Sequence, residues 1–124
     1  MRELKFRAWN KHLKVMKANI HLLDNCNEYF NNDNQDVMQF VGLKDKNGKE
    51  VYVGDILHSP TWGGSGRKSP HDNHVVEWHS GNAAWVATGY NGTVEVSPSV
   101  TVRRDFVVIG NVWENPELLQ PKAA

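Results

Sequence analysis

The sequence predicts an all-β fold, because short apolar segments alternate with turn signals about every 8–12 residues. No internal repeat and no long amphipathic helix pattern interrupts them. The turn Asp45-Lys46-Asn47-Gly48 is a strong reversal signal, since Asn and Gly accept the positive φ that hairpin turns require. The pair Gly54-Asp55 then changes the direction of the chain. The short strands expected between Val37 and Trp113, bent at this pair, suit a small Src-homology-3-like barrel.

The first 36 residues predict an extension ahead of the barrel. Apolar and polar residues alternate from 4 to 9, which indicates a half-buried strand, and residues 15–23 are interpreted as its return strand. The Asn- and Asp-rich residues 24–36 predict a loop or a short irregular helix that carries Tyr29 and Phe30 inward. The N-terminus is therefore expected to form a basic β-hairpin with a polar connector.

The barrel is assigned to residues 37–119 and a tail to residues 120–124. Its strands are expected at 37–43, 51–53, 56–57, 75–78, 83–88, 93–96, 100–102 and 106–113. Residues 58–74 form the longest loop, and a Gly/Ser/Pro-rich loop of this length is usually functional or disordered. Asn115-Pro116-Glu117 has the composition of a helix start and predicts a short C-terminal helical turn.

Composition narrows the class of protein. The 124 residues suit a single domain with its own core, and a formal net charge of zero gives no overall attraction to nucleic acid or membrane. No apolar run approaches the roughly 18 residues of a membrane helix, and no signal-peptide pattern is present. The lone Cys26 lies among acids and amides and predicts a spectator thiol. We therefore expect a cytoplasmic protein without membrane contact.

Charge is unevenly distributed along the chain. Residues 1–17 are strongly basic and residues 24–36 are acidic without a basic residue. The candidate partner-binding residues are Lys5, Arg7, Trp9, Lys11 and Lys14 in the hairpin, with Trp62, Arg67 and Lys68 in the long loop.

The hairpin residues allow three interpretations. Cations beside Trp9 on one strand face suit a nucleic-acid backbone and a stacked base. The same lysines also suit a solvated edge, or pairing with the acidic segment of this chain or of a neighbouring subunit. Zero net charge favours the second and third interpretations.

Histidines are the residues best suited to a metal. His58, His71, His74 and His79 are close in sequence, but zinc requires three or four converging ligands, and loop histidines are usually solvated. No nucleophile with an adjacent base is evident. We therefore expect no enzyme activity, no metal and no cofactor.

Three segments resemble the YopX-like proteins, small proteins of bacteriophages and prophages: residues 5–9, 39–56 and 108–118. Val76-Glu77-Trp78 is a weaker fourth match. The resemblance implies an all-β fold with a small-barrel portion and no assigned biochemical function, so no catalytic or ligand residues carry over. The chain departs from the family pattern in the 58–74 loop and at Val53. Gly48, Gly54, Asp55 and the core tryptophans Trp78, Trp85 and Trp113 are interpreted as structural.

Together these features favour a non-catalytic phage or prophage accessory protein that binds another protein or its own copies. The alternatives are a nucleic-acid-binding accessory protein that uses the basic hairpin and, least favoured, a small metal-dependent hydrolase built on the histidines of residues 58–79.

Overall fold

The computed structural model describes residues 4–59, 73–81, 84–89, 92–95 and 106–119. It shows a nearly all-β chain with little helix, which confirms the predicted fold class. The chain divides into two compact units, unit 1 (Met1–Phe40) and unit 2 (Val41–Ala124). This division lies inside a single strand, β3 (Gln35–Lys44), and so does the boundary at 36/37 that we inferred from the sequence.

Unit 1 is built on the predicted N-terminal hairpin. β1 (Phe6–Asn10) pairs with β2 (Val15–Lys17) on one side and with the first half of β3 on the other, both antiparallel. A 3₁₀ helix (Ile20–Leu22) and a short helix α1 (Cys26–Phe30) connect β2 to β3. β1 is therefore the central strand of unit 1, with β2 and the first half of β3 as its hydrogen-bonded neighbours.

The return strand is shorter than we predicted. It ends at Lys17, and Asn19 then adopts a left-handed φ of 55°, which an extended strand does not accommodate. The chain continues as the 3₁₀ helix, whose Ile20 is fully buried. Phe30 also differs from expectation: it packs edge-to-face on Phe6, with ring centroids 5.2 Å apart, but remains half exposed.

Unit 2 contains the second half of β3 and six further strands: β4 (Glu50–Tyr52), β5 (Asp55–His58), β6 (Asn73–His79), β7 (Ala84–Gly89), β8 (Gly92–Glu95) and β9 (Val107–Asn111). Five of these strands form one curled antiparallel sheet in the order β8-β7-β6-β5-β9, and the other sheet has the order β2-β1-β3-β4. The predicted C-terminal turn is a 3₁₀ helix (Pro116–Leu118). The expected strand at 100–102 lies outside the described residues.

The predicted bend at Gly54-Asp55 is confirmed in atomic detail. Gly54 has a φ of 88°, donates its N–H to Val76 O (2.9 Å) and accepts from Val112 N (3.0 Å). Asp55 is almost completely buried, and its carboxylate accepts the Tyr52 N–H at 2.8 Å. Gly54 therefore links two segments distant in sequence, while Asp55 holds the turn before it.

The Asp45 turn is tied to a distant strand. One carboxylate oxygen of Asp45 accepts the N–H groups of Asn47 and Lys49, both at 2.9 Å, and the other accepts the Val108 N–H at 2.9 Å. Burial of Asp45 raises its pKa, but the hydrogen bonds from Val108, Lys49 and Asn47, with the nearby charge of Lys49, outweigh burial and lower the pKa below the ordinary 3.8. The folded chain therefore holds this carboxylate in its ionised form.

The core of unit 2 is one apolar cluster. Its buried members are Val41, Leu43, Val51, Leu57, Val76, Trp85, Ala87 and Phe106. Trp85 is 8% exposed, and its cross-strand partner Trp78 packs edge-to-face on it with ring centroids 4.9 Å apart. Trp78 itself is 50% exposed, so the prediction that it anchors the core was wrong. The pair lies next to the turn that ends β6, where Trp85 packs into the core and Trp78 packs on Trp85.

Trp78→Ala is therefore expected to lower the free energy of unfolding by only about 1 kcal/mol, because half of the side chain is already in water. Urea denaturation followed by circular dichroism measures the change. A loss of about 3 kcal/mol or more, the range for truncating a buried tryptophan, would show that Trp78 belongs to the core.

Candidate functional site

The predicted basic face of β1 is present but differs in composition from a nucleic-acid platform. Arg7 and Trp9 alternate along the strand, and Lys5 directly precedes it in the same alternation, as expected. Trp9, however, is only 8% exposed. An indole buried to this degree has little free face for a base to stack on, and this burial argues against a stacking role for Trp9.

The two cations of this face are engaged within unit 1. The Lys5 ammonium lies 5.4 Å from the centroid of the Phe40 ring, within the range of a cation–π interaction. The Arg7 Nε donates to Met38 Sδ at 3.3 Å. Both side chains therefore cover apolar neighbours on β3, which favours a packing role for them.

The hairpin turn is held by Asn10. Its side-chain Oδ1 accepts the N–H groups of His12 (3.0 Å) and Leu13 (2.8 Å), and its carbonyl accepts the Lys14 N–H at 2.7 Å. Lys14 has a φ of 56°. The result is a defined tip on which Leu13 is 65% exposed and Lys14 is exposed.

The basic tip contacts the chain's own acidic segment. Lys11 Nζ lies 3.4 Å from Asp36 Oδ1, and Lys11 N donates to Asn34 O at 2.8 Å. This ion pair confirms, at one position, the interpretation in which the hairpin pairs with residues 24–36. Both side chains are substantially exposed, so the pair contributes well under about 1 kcal/mol.

Residues 27–34 form an open depression beside that contact. Its lining consists of polar side chains: Asn27, Glu28, Asn31, Asn32, Asp33 and Asn34. Because Asn34 also receives the Lys11 N–H, the depression and the hairpin tip lie at the same end of unit 1. A basic projection and an acidic concavity are thus neighbours in one chain.

In the part of the chain that the structure describes, exposed apolar side chains are concentrated in unit 1. Of six large hydrophobic residues exposed among the described residues, Trp78 alone lies in unit 2. The others are Leu4, Leu13, Val15, Leu22 and Phe30. Sequence patterning missed this concentration, because it placed Phe30 inward and found no clear alternation in residues 15–23.

The loop candidates Trp62, Arg67 and Lys68 lie outside the described residues, as does His71. Of the other loop histidines, His58 and His74 are buried strand residues and His79 is exposed. No group of three His, Cys, Asp or Glu side chains suited to a metal ion occurs in the part of the chain that the structure describes.

His58 has a structural partner. Asn73 donates its Nδ2 to Leu118 O at 2.7 Å, which turns its Oδ1 toward His58 Nδ1, 3.0 Å away. An amide oxygen only accepts, so the His58 proton is on Nδ1. This chain of bonds fastens the C-terminal 3₁₀ helix to β5 and β6.

Asn111 is a second residue that sequence reasoning missed. It is buried, and its Oδ1 accepts the N–H groups of Trp113 (3.1 Å) and Glu114 (2.9 Å) while its Nδ2 donates to Glu114 (2.9 Å). The signal that would have predicted this role is an Asn at the start of a turn, where its side chain accepts the N–H groups two and three residues later. The polar residues of the 108–118 segment thus hold backbone in place.

Fold and site together define a small β protein in which the buried side chains of Asp45, Asp55 and Asn111 accept backbone N–H groups. The family model described as YopX protein matches residues 14–120, and the chain belongs to this family.

Two solved structures have the same fold. Protein EF1440 from Enterococcus faecalis is 26% identical, with a TM-score of 0.62 over 97% of this chain and 100% of that chain. Protein yopX from Bacillus subtilis is 17% identical, with a TM-score of 0.53 over 99% of this chain and 100% of that chain. The comparison with curated proteins found no significant match.

The helices in the described part of the chain are all too short or too polar to cross a bilayer.

Proposed function

We propose that this YopX-family chain is a non-catalytic phage or prophage accessory protein that binds another protein or its own copies in the host cytoplasm. The observation that carries the proposal concerns the residues that the structure describes: five of the six large hydrophobic side chains exposed among them lie in unit 1. A small unit with a modest core of its own gains nothing in folding from leaving these side chains in water. Large apolar side chains left exposed are typical of interaction surfaces when they adjoin one another, as Leu13 and Val15 do at the hairpin.

The arrangement of charge supports a protein partner. Protein interfaces combine an apolar centre with a polar rim. In unit 1 the exposed Leu13 has Lys14 beside it, and the half-exposed Phe30 follows Glu28 on α1. Removing two such side chains from water on binding is worth roughly 1.5–3 kcal/mol for each one fully buried.

Nucleic-acid binding is the second candidate, and the exposed cations Lys14 and Lys17 are the observation in its favour. It has less support, because Trp9 is buried and both Lys5 and Arg7 cover neighbours within unit 1.

Leu13→Ser is expected to reduce protein capture at least about 10-fold, since an anchor side chain at an interface is commonly worth more than 1 kcal/mol. Capture is measured by pull-down from phage-infected host cells, with Trp78→Ala, an exposed apolar residue of unit 2, as the matched control. Equal capture by wild type and Leu13→Ser would contradict a binding surface at this tip. Retention of DNA or RNA in a low-salt gel shift, lost in Lys14→Ser/Lys17→Ser, would favour the second candidate.

A further inference from the structure

We propose that a second copy of this chain docks on unit 1, with the hairpin tip of each copy seated against the acidic face of the other. The tip consists of Leu13, Lys14, Val15 and Lys17, and the acidic face of Asp24, Glu28 and Asp33 with the depression at residues 27–34. The inference rests on the proposed function, in which unit 1 is the protein-binding surface, and it names the partner.

Charge complementarity is the first argument. Residues 11–17 carry three lysines and no acid, and residues 24–36 carry four acids and no Lys or Arg. The ion pair between Lys11 and Asp36 neutralises one charge of each set. Lys14 and Lys17 remain on the tip, and Asp24, Glu28 and Asp33 on the acidic face. Among the described residues no ion pair neutralises these five exposed groups.

The position of the two surfaces is the second argument. Lys11 N donates to Asn34 O, so the tip begins where the depression ends. In a two-fold dimer, residue i of one copy meets residue j of the other, and j meets i. Because the tip and the acidic face lie at the same end of one chain, the tip of each copy contacts the acidic face of the other in such a dimer.

Apolar contact is the third argument. Leu13 and Val15 are both more than half exposed on the tip, and Phe30 is half exposed at the end of α1, on the acidic side. Docking removes apolar surface from water at both halves of the contact, which charge attraction alone does not do. The tip is therefore suited to an acidic surface that also exposes apolar side chains, and not to a polyanion, which offers charge alone.

Charge reversal tests the dimer directly. Lys14→Glu/Lys17→Glu makes both surfaces of a copy acidic, and Glu28→Lys/Asp33→Lys makes both basic. Each variant alone is expected to weaken self-association at least about 100-fold, because like charges then face each other across the contact. An equimolar mixture of the two is expected to form a heterodimer of near wild-type affinity. Sedimentation equilibrium measures all three samples.

The other outcomes are equally decisive. A wild-type chain that stays monomeric at high concentration, or a mixture that does not associate, overturns the proposal. If such a monomer still captures a host protein through Leu13, the proposed binding function stands while this partner assignment fails. All four charged residues are exposed, and unchanged urea midpoints verify that the variants fold. Should one variant fail to fold, Leu13→Ser replaces it and is expected to dissociate the dimer.

Discussion

Gly54→Ala is expected to lower the free energy of unfolding by about 2–5 kcal/mol. Two costs add together. The φ of 88° is a left-handed conformation that costs an L-residue roughly 1–2 kcal/mol. The new Cβ would also overlap the six-membered ring of Trp113, and overpacking of this kind costs about 1–3 kcal/mol.

Gly48→Ala is the matched control, because it separates the two costs. Gly48 has a similar φ of 83°, but a Cβ there meets no atom within 4 Å. It should therefore lose only the conformational part, about 1–2 kcal/mol. Urea denaturation of both variants gives the difference. Equal losses would show that the Trp113 ring moves aside without cost.

Asp45→Ala is expected to lower the free energy of unfolding by about 2–4 kcal/mol. Three backbone N–H groups lose their acceptor, and leaving a buried donor unsatisfied costs roughly 1–3 kcal/mol. The Val108 N–H carries most of this cost, because Asn47 and Lys49 are exposed and water replaces Asp45 there. Asp24→Ala, which removes an exposed acid, is the control and is expected to change stability by less than about 0.5 kcal/mol.

The lowered pKa of Asp45 makes this contribution dependent on pH. A carboxyl group whose pKa is lower in the folded chain stabilises the fold above its unfolded pKa of 3.8, and the contribution is lost as the pH falls through the folded value. The stability gap between wild type and Asp45→Asn should therefore narrow as the pH falls below 3.8. Melting temperatures measured from neutral pH downward test this. A gap that stays constant through acid would show that ionisation of Asp45 has no part in stability.

Sequence patterning predicted most of the fold because the turns of this chain carry clear local signals. Positive φ at Gly48 and Gly54 follows from turn chemistry, and each turn divides strands whose alternation is easily read. The acceptor role of Asp55 toward Tyr52 spans only three residues, so it too was predictable. The features that depend only on residues within one hairpin were therefore predicted from the sequence.

Features fixed by packing were not anticipated. Trp78 and Trp85 occupy directly opposed positions on paired strands, yet one is half exposed and the other buried. Trp9 alternates with two cations, a pattern that predicts exposure, but its ring is buried. Position along a strand and neighbours from other elements decide burial, and period-two alternation contains neither. Sequence patterning accordingly predicted the charges of the candidate surface on unit 1 but not its exposed apolar side chains.

The bond between Asp45 and Val108 has a consequence for biosynthesis. Its partners are 63 residues apart, so the ribosome completes the Asp45 turn long before it makes the strand that the turn must hold. At about 5–20 residues per second, this delay lasts several seconds. During that interval the apolar face of unit 2 lacks its last strand, and a nascent chain in this state is open to proteolysis or to capture by a chaperone. Closure of this unit therefore waits for the synthesis of β9, long after the turn that holds it is complete.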